Sequence, residues 1–224
     1  MSEYLLLNIA IIIFPLLLSF ESKIAFYKKL PALALSLSIV STAFIIWDAI
    51  ATYRGDWGFS REYLMGHYLV GLPIEEILFF VSVPYSIIFL YETLILYVPD
   101  KKVFVPKYVF IAVIIVLILS AVLFSSQYYT YTVLLFSAGF LILALIVRSP
   151  LLYSRNYYIF LAATYIPFLV VNYILTAPPI VYYSDKAIWG VRFITIPMED
   201  FFYSFSMISF WLYFYMFFKK KLGL

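Results

Sequence analysis

Residues Leu72–Phe80 read LPIEEILFF, and residues Ile196–Ser204, 124 positions later, read IPMEDFFYS. Shifting the chain by 124 lays residues 44–80 over 168–204 without a gap. Seven of those 37 columns are identical: Phe44/Phe168, Ile50/Ile174, Thr52/Thr176, Ser60/Ser184, Gly66/Gly190, Pro73/Pro197 and Glu75/Glu199. Asp48 lies over Asn172, and Glu76 over Asp200. Biased composition explains a few chance matches, but not a paired Gly, Pro and Glu with a second acid following in both copies. The chain therefore contains an internal repeat. In each copy an apolar stretch ends in Asp48 or Asn172, a loop of about 20 residues follows, and the next apolar stretch opens Pro-x-Glu-acid. Proline suits the first turn of a helix, and acids there complement its exposed N–H groups.

Composition fixes the class around that repeat. Of 224 residues, 66% are hydrophobic and 12% charged, where a soluble domain carries about 45–50% apolar and about 25% charged residues. A soluble core of this composition would lack the polar surface to cover it. The expected fold is an all-α integral membrane protein. Apolar stretches run at 4–20, 32–50, 72–97, 107–124, 128–147, 157–176 and 196–218, giving seven transmembrane helices. Each is about long enough to cross the hydrocarbon. They are continuously apolar rather than alternating, which argues against a barrel. The expected organisation is a three-span repeat over 1–100, a connector span over 101–124 and a second three-span repeat over 125–224, with no room for a separate soluble domain. Such repeats run in the same direction, related by an axis along the membrane normal.

The N-terminal stretch carries Glu3 instead of a basic cluster and has no small-x-small site after it, so it reads as a span rather than a cleavable signal. Lys23, Lys28, Lys29, Lys101, Lys102, Lys107, Arg148, Arg155, Lys219, Lys220 and Lys221 fall on one side, and Arg54, Arg61, Lys186 and Arg192 on the other. The side richer in Lys and Arg is expected to be cytoplasmic, with the N-terminus outside and the C-terminus inside. With no Cys and one His (His67), thiolate chemistry, iron–sulfur clusters and a His-rich metal site are not expected. Seven Gly without a G-x-G-x-x-G run argue against nucleotide binding, and a dispersed net charge of +3 argues against nucleic acid.

On a helix Glu75 shares a face with Leu78, Phe79 and Ser82, and Glu199 with Phe202, Tyr203 and Ser206. A carboxyl group desolvated among aromatic rings favours its neutral form. It is then a Brønsted acid suited to an apolar substrate. One copy of the motif reads equally well as a helix start; two copies in register favour chemistry. Glu75 or Glu199 is the expected proton donor, and Glu92 is read as snorkelling or pairing with Lys101 or Lys102. His67 reads as a loop residue, while Arg54 and Arg192 pair with Asp56 or the motif acids. Trp47, Phe44, Phe79, Phe80, Phe201, Phe202 and Tyr203 line a pocket or simply pack spans.

The doubled Pro-x-Glu-acid segment, the preceding span ending in Asp or Asn, and the two three-span halves resemble the membrane-embedded carotenoid (lycopene) cyclases, in their fused form. The resemblance covers nearly the whole chain. It implies a multi-pass protein of the cell's inner membrane that closes the linear ends of lycopene to β-type rings. Its partners would be the polyene substrate, membrane lipid and other enzymes of the carotenoid pathway. No cofactor and no metal are implied. Glu75, Glu76, Glu199 and Asp200 take the places of the family's motif acids, with Asp48 a further catalytic residue. Asn172, Trp47, Phe79, Phe80, Phe202 and Tyr203 are the expected substrate-binding residues. Asp48 against Asn172 breaks the internal symmetry and implies unequal halves. Parallel repeats with paired intramembrane acids also suit a proton-coupled transporter or channel, the alternative class, although no span outside the motif carries a mid-membrane charge pathway.

Overall fold

A computed structural model describes all 224 residues. Seven helices follow in order: α1 (Glu3–Leu18), α2 (Leu30–Arg54), α3 (Ile74–Tyr97), α4 (Lys107–Leu123), α5 (Tyr128–Ile146), α6 (Arg155–Thr176) and α7 (Met198–Lys221). Five of them, α2, α3, α5, α6 and α7, are long and apolar enough to cross a membrane; α1 and α4 have 16 and 17 residues. The protein is a multi-pass membrane protein. Its apolar stretches and its helices coincide to within a few residues.

Local sequence explains the helix ends. Pro31 sits in the first turn of α2, and Gly55, at φ 82°, stops that helix in the left-handed conformation that glycine adopts freely. Pro73 and Pro197 stand immediately before α3 and α7, with the paired acids in the first turn of each.

The helix starts show how the bundle is assembled. Tyr4 at the start of α1 bonds to Glu76 at the start of α3, and Tyr129 at the start of α5 bonds to Asp200 at the start of α7. The odd-numbered helices therefore begin at one end of the bundle. At the other end Glu92 on α3 is buried between Lys29 and Lys219 and accepts a bond from the Tyr215 hydroxyl at 2.8 Å. These are the partners of Glu92, in place of Lys101 or Lys102. Lysines that frame neighbouring helix ends lie closer than lysines in the connecting loop. The larger of two apolar clusters fills the bundle with Phe80, Ile88, Phe140, Phe160, Trp211 and Tyr215, and the smaller one, with Tyr4, Trp57 and Tyr129, lies at the acid end.

Short strands, unforeseen from the sequence, order the loops at the acid end. They are β1 (Trp57–Phe59), β2 (Tyr68–Leu69), β3 (Leu72–Pro73), β4 (Val181–Tyr183), β5 (Arg192–Phe193) and β6 (Ile196–Pro197). β2–β3 and β5–β6 form equivalent hairpins, one leading into α3 and the other into α7. β1 and β4 occupy the same place in the two repeats and pair with each other antiparallel, Trp57 opposite Tyr183 and Phe59 opposite Val181. That register is symmetric about Gly58 and Tyr182, so the pseudo-two-fold axis passes between them. The two halves are thus stitched together directly above the acids.

Candidate active site

Each Pro-x-Glu-acid motif places its two carboxyl groups in different surroundings. Glu75 and Glu199 are fully buried and face the loops. One Glu75 oxygen accepts from the Met65 amide at 2.6 Å and the Ser2 hydroxyl at 2.7 Å. The matching Glu199 oxygen accepts from the Trp189 amide and from the Thr130 hydroxyl at 2.5 Å. Met65 and Trp189 are themselves equivalent positions of the repeat. The second oxygen of each glutamate is buried without a partner. In both halves, then, the first acid clamps a loop and the first helix of its repeat onto the helix it begins.

The second acids turn inward. Glu76 accepts the Tyr4 hydroxyl at 2.5 Å and lies against the Asp48 carboxyl. Asp48 is buried near the end of α2, where it accepts Trp57 Nε1 at 2.8 Å and the Thr52 hydroxyl at 3.3 Å. Asp200 uses both oxygens, accepting the Tyr129 hydroxyl at 2.6 Å and the Tyr183 hydroxyl at 3.0 Å. The Tyr203 ring lies between the two groups, 5.5 Å from Trp47 and 6.4 Å from Tyr129. Tyr183 comes from a loop strand outside the spans. Burial, and then the Asp200 charge beside it, push its phenol well above the usual range, so it keeps its proton and donates. The Asp48–Glu76 pair and Asp200, one group from each repeat, meet through their donors: Trp57, which bonds Asp48, stands 4.9 Å from Tyr129, which bonds Asp200.

Aromatic rings surround this cluster. Trp47 stands 5.2 Å from Trp57, 5.5 Å from Tyr203 and 6.0 Å from Tyr129. Phe44 adds a ring 5.6 Å from Tyr203. Among the other residues expected at the site, Phe79 lies 6.0 Å from Tyr4, and Phe202 packs beside the cluster. Phe80 points into the bundle core, where its carbonyl accepts from Ser41. Asn172 does not join the acids; its amide turns back on the Phe168 carbonyl of its own helix at 3.0 Å. Arg54 is held by Asp56, and Arg192 bonds the Thr195 carbonyl. A cavity of about 370 Å³ opens above the cluster, lined by Thr52, Trp57 and Tyr182 among others.

Sequence reasoning missed Tyr4, Tyr129, Trp57 and Tyr183. A signal existed for the first pair, since each is the second residue of the first helix in its repeat. Their spacing is one residue off the 124-residue shift, beyond the gapless stretch. Trp57 and Tyr183 sit in loops, where no periodicity marks a residue as inward-facing.

Fold and site together describe a multi-pass helical protein whose two repeats share a buried carboxyl cluster walled by phenols and indoles. The chain matches the Lycopene cyclase family over residues 2–94 and 128–218, most of its length, and it belongs to that family. The match falls in two stretches, one per repeat, with α4 lying between them and outside both. Membership makes it a carotenoid cyclase, an enzyme acting on a lipophilic polyene. No curated protein and no solved structure matches the chain.

Proposed function

We propose that this chain closes the acyclic ends of lycopene to β-type rings, first to γ-carotene and then to β-carotene, as a redox-neutral isomerase of the intramolecular-lyase type. The observation that carries the reading is the contrast between the adjacent Asp48–Glu76 carboxyls and the doubly bonded Asp200. Two carboxyl groups in contact in a low dielectric cannot both be ionised, so the pair holds a proton. Asp200 instead has each of its two oxygens engaged as the acceptor of a phenol hydroxyl. The pair is the acid and Asp200 the base.

The step balances without a redox partner. The pair's proton adds to carbon 2 of the end group and leaves a cation at carbon 1. The carbon 5–6 double bond attacks it, forming the carbon 1–6 bond and moving the cation to carbon 5. Asp200 removes the proton from carbon 6, and the ring double bond forms. Trp47, Trp57 and Tyr203 offer ring faces to the cation, an interaction worth about 2 kcal/mol when desolvated. The proton returns from Asp200 to the pair, or through water in the cavity beside Thr52 and Trp57. Glu75 and Glu199, the donors expected from sequence, become positioning residues in this scheme.

All seven helices are proposed to cross the membrane. α1 and α4 rise about 24–26 Å at about 1.5 Å per residue, and their flanking residues span the rest. The repeats are assigned to 1–100 and 125–224, with 101–124 connecting them, in the inner membrane. The acid end faces outside and the Lys-rich end the cytoplasm. Association with other carotenoid-pathway enzymes would deliver substrate at that membrane. The test is pigment from a lycopene-producing host expressing the chain: chromatographically identified β-carotene supports the reading, and unchanged lycopene refutes it.

A further inference from the structure

The two repeats pack differently at equivalent places. Where α2 meets α7, the junction is filled: Phe44, Trp47 and Tyr203 interlock, and Phe136 of α5 closes the gap 5.1 Å from Trp47. The equivalent junction lies between α6 and α3, where Val171 replaces Trp47 and Phe79 replaces Tyr203. Phe168, the counterpart of Phe44, turns away from α3 and packs on Phe201 at 4.9 Å and Tyr165 at 5.4 Å. No residue of α6 from Tyr165 to Ile174 is buried, whereas the matching stretch of α2 buries Ser41, Phe44 and Asp48.

Two anchors show how α6 leans. At the Lys-rich end it holds α3 through Phe160, 5.3 Å from Tyr91, and through Asn156, which donates to the Val98 carbonyl. At the acid end it is tied to the second repeat instead, by the Tyr165 hydroxyl on the Phe201 carbonyl and by Thr176 on Thr195. α6 and α3 therefore diverge towards the acid end. Phe79 stands at that gap, and behind it Tyr4 bonds to Glu76.

We infer that the cleft between α3 and α6 is the lateral portal through which the uncharged, linear isoprenoid end of the substrate passes from the bilayer to the Asp48–Glu76–Asp200 cluster, with Val171 and Phe79 setting its width. The inference rests on the cyclase reading for the identity of the ligand. An apolar cleft on the lipid side admits a lipid-dissolved chain and keeps water from the cation. The filled junction between α2 and α7 offers no second entrance. With one portal, the two ends of a polyene are processed in turn, and the half-finished product must withdraw and re-enter.

Val171→Trp restores the residue found at the equivalent filled junction. It should lower the cyclisation rate at least about tenfold, since small displacements of a reacting group cost as much or more. Membrane level and thermal midpoint should stay unchanged. Val170→Trp, on the lipid-facing side of the same turn, should keep its rate within about twofold, as surface substitutions do. Binding is read separately, as lycopene absorbance co-purifying with the Asp48→Asn protein, and adding Val171→Trp should abolish it. A Val171→Trp protein that cyclises within about twofold of the parent, or that retains lycopene in the Asp48→Asn background, overturns the portal. A parent chain that retains lycopene but never forms rings overturns the cyclase reading alone.

Discussion

Asp48→Asn separates acid chemistry from architecture. The carbonyl oxygen of the substituted side chain can still accept the bonds that Trp57 Nε1 and the Thr52 hydroxyl now give to Asp48, at 2.8 and 3.3 Å. Its amide would donate to Glu76, so the buried network stays satisfied, and the stability change should be within about 1 kcal/mol. The proton shared between two carboxyls, however, is gone, and Glu76 faces an amide in place of a second carboxyl able to share and relay it. A general acid contributes about 100- to 10,000-fold, which is about 2.7–5.4 kcal/mol of barrier at about 1.36 kcal/mol per tenfold. The assay is the initial rate of lycopene loss in membranes at matched protein level, with the thermal midpoint measured alongside. Asp48→Ala, by contrast, leaves the indole N–H unpaired and should cost about 1–3 kcal/mol of stability. An Asp48→Asn rate within about threefold of the parent would refute the carboxyl pair as proton donor.

Glu75→Gln keeps an acceptor for the Met65 amide and should retain activity within about tenfold, whereas Glu75→Ala should lower stability by about 1–3 kcal/mol; rates and thermal midpoints of the two variants check both. Residues 1–100 or 125–224 expressed alone should form no rings, because the acid pair and Asp200 come from opposite halves, and co-expression should restore pigment conversion. Glu92→Gln breaks the Lys29–Glu92–Lys219 bridge and should lower stability by about 1–3 kcal/mol, read as a shifted thermal midpoint with the same ring type in the product. In a time course of the parent enzyme the monocyclic product should rise and then fall before the bicyclic one dominates; direct appearance of bicyclic product would contradict a single site.

Much of the architecture was legible because seven apolar runs leave few ways to fold in a bilayer, and because a doubled Pro-x-Glu-acid marks two helix starts. Which acid of each pair faces the interior was not legible. α3 and α7 are apolar nearly all round, so no amphipathic stripe fixes their rotation, and Glu75 and Glu76 look alike in sequence. The hairpin turns were hidden for another reason. Val70 and Ile194 adopt φ values of 48° and 59° at equivalent places. β-Branched residues avoid that conformation, and neither carries the turn signal of Gly or Asn. Glu92 finds Lys29 and Lys219 from opposite ends of the chain, which no local spacing could announce.

The pairing of β1 with β4 carries a historical meaning. A strand that pairs antiparallel with its own counterpart, in a register centred on Gly58 and Tyr182, makes a contact that maps onto itself when the halves are exchanged. Such an isologous contact closes after two copies and does not propagate. One half of this molecule, present twice, would have satisfied the same ladder as a homodimer, with an acid cluster shared across the joint from the outset. A single chain carrying both halves frees them from being identical. One half carries Asp48 and Trp47, and the other carries Asn172 and Val171 at the matching positions. A symmetric pair must open both of its clefts or neither, and only a single chain can seal one while leaving its twin ajar.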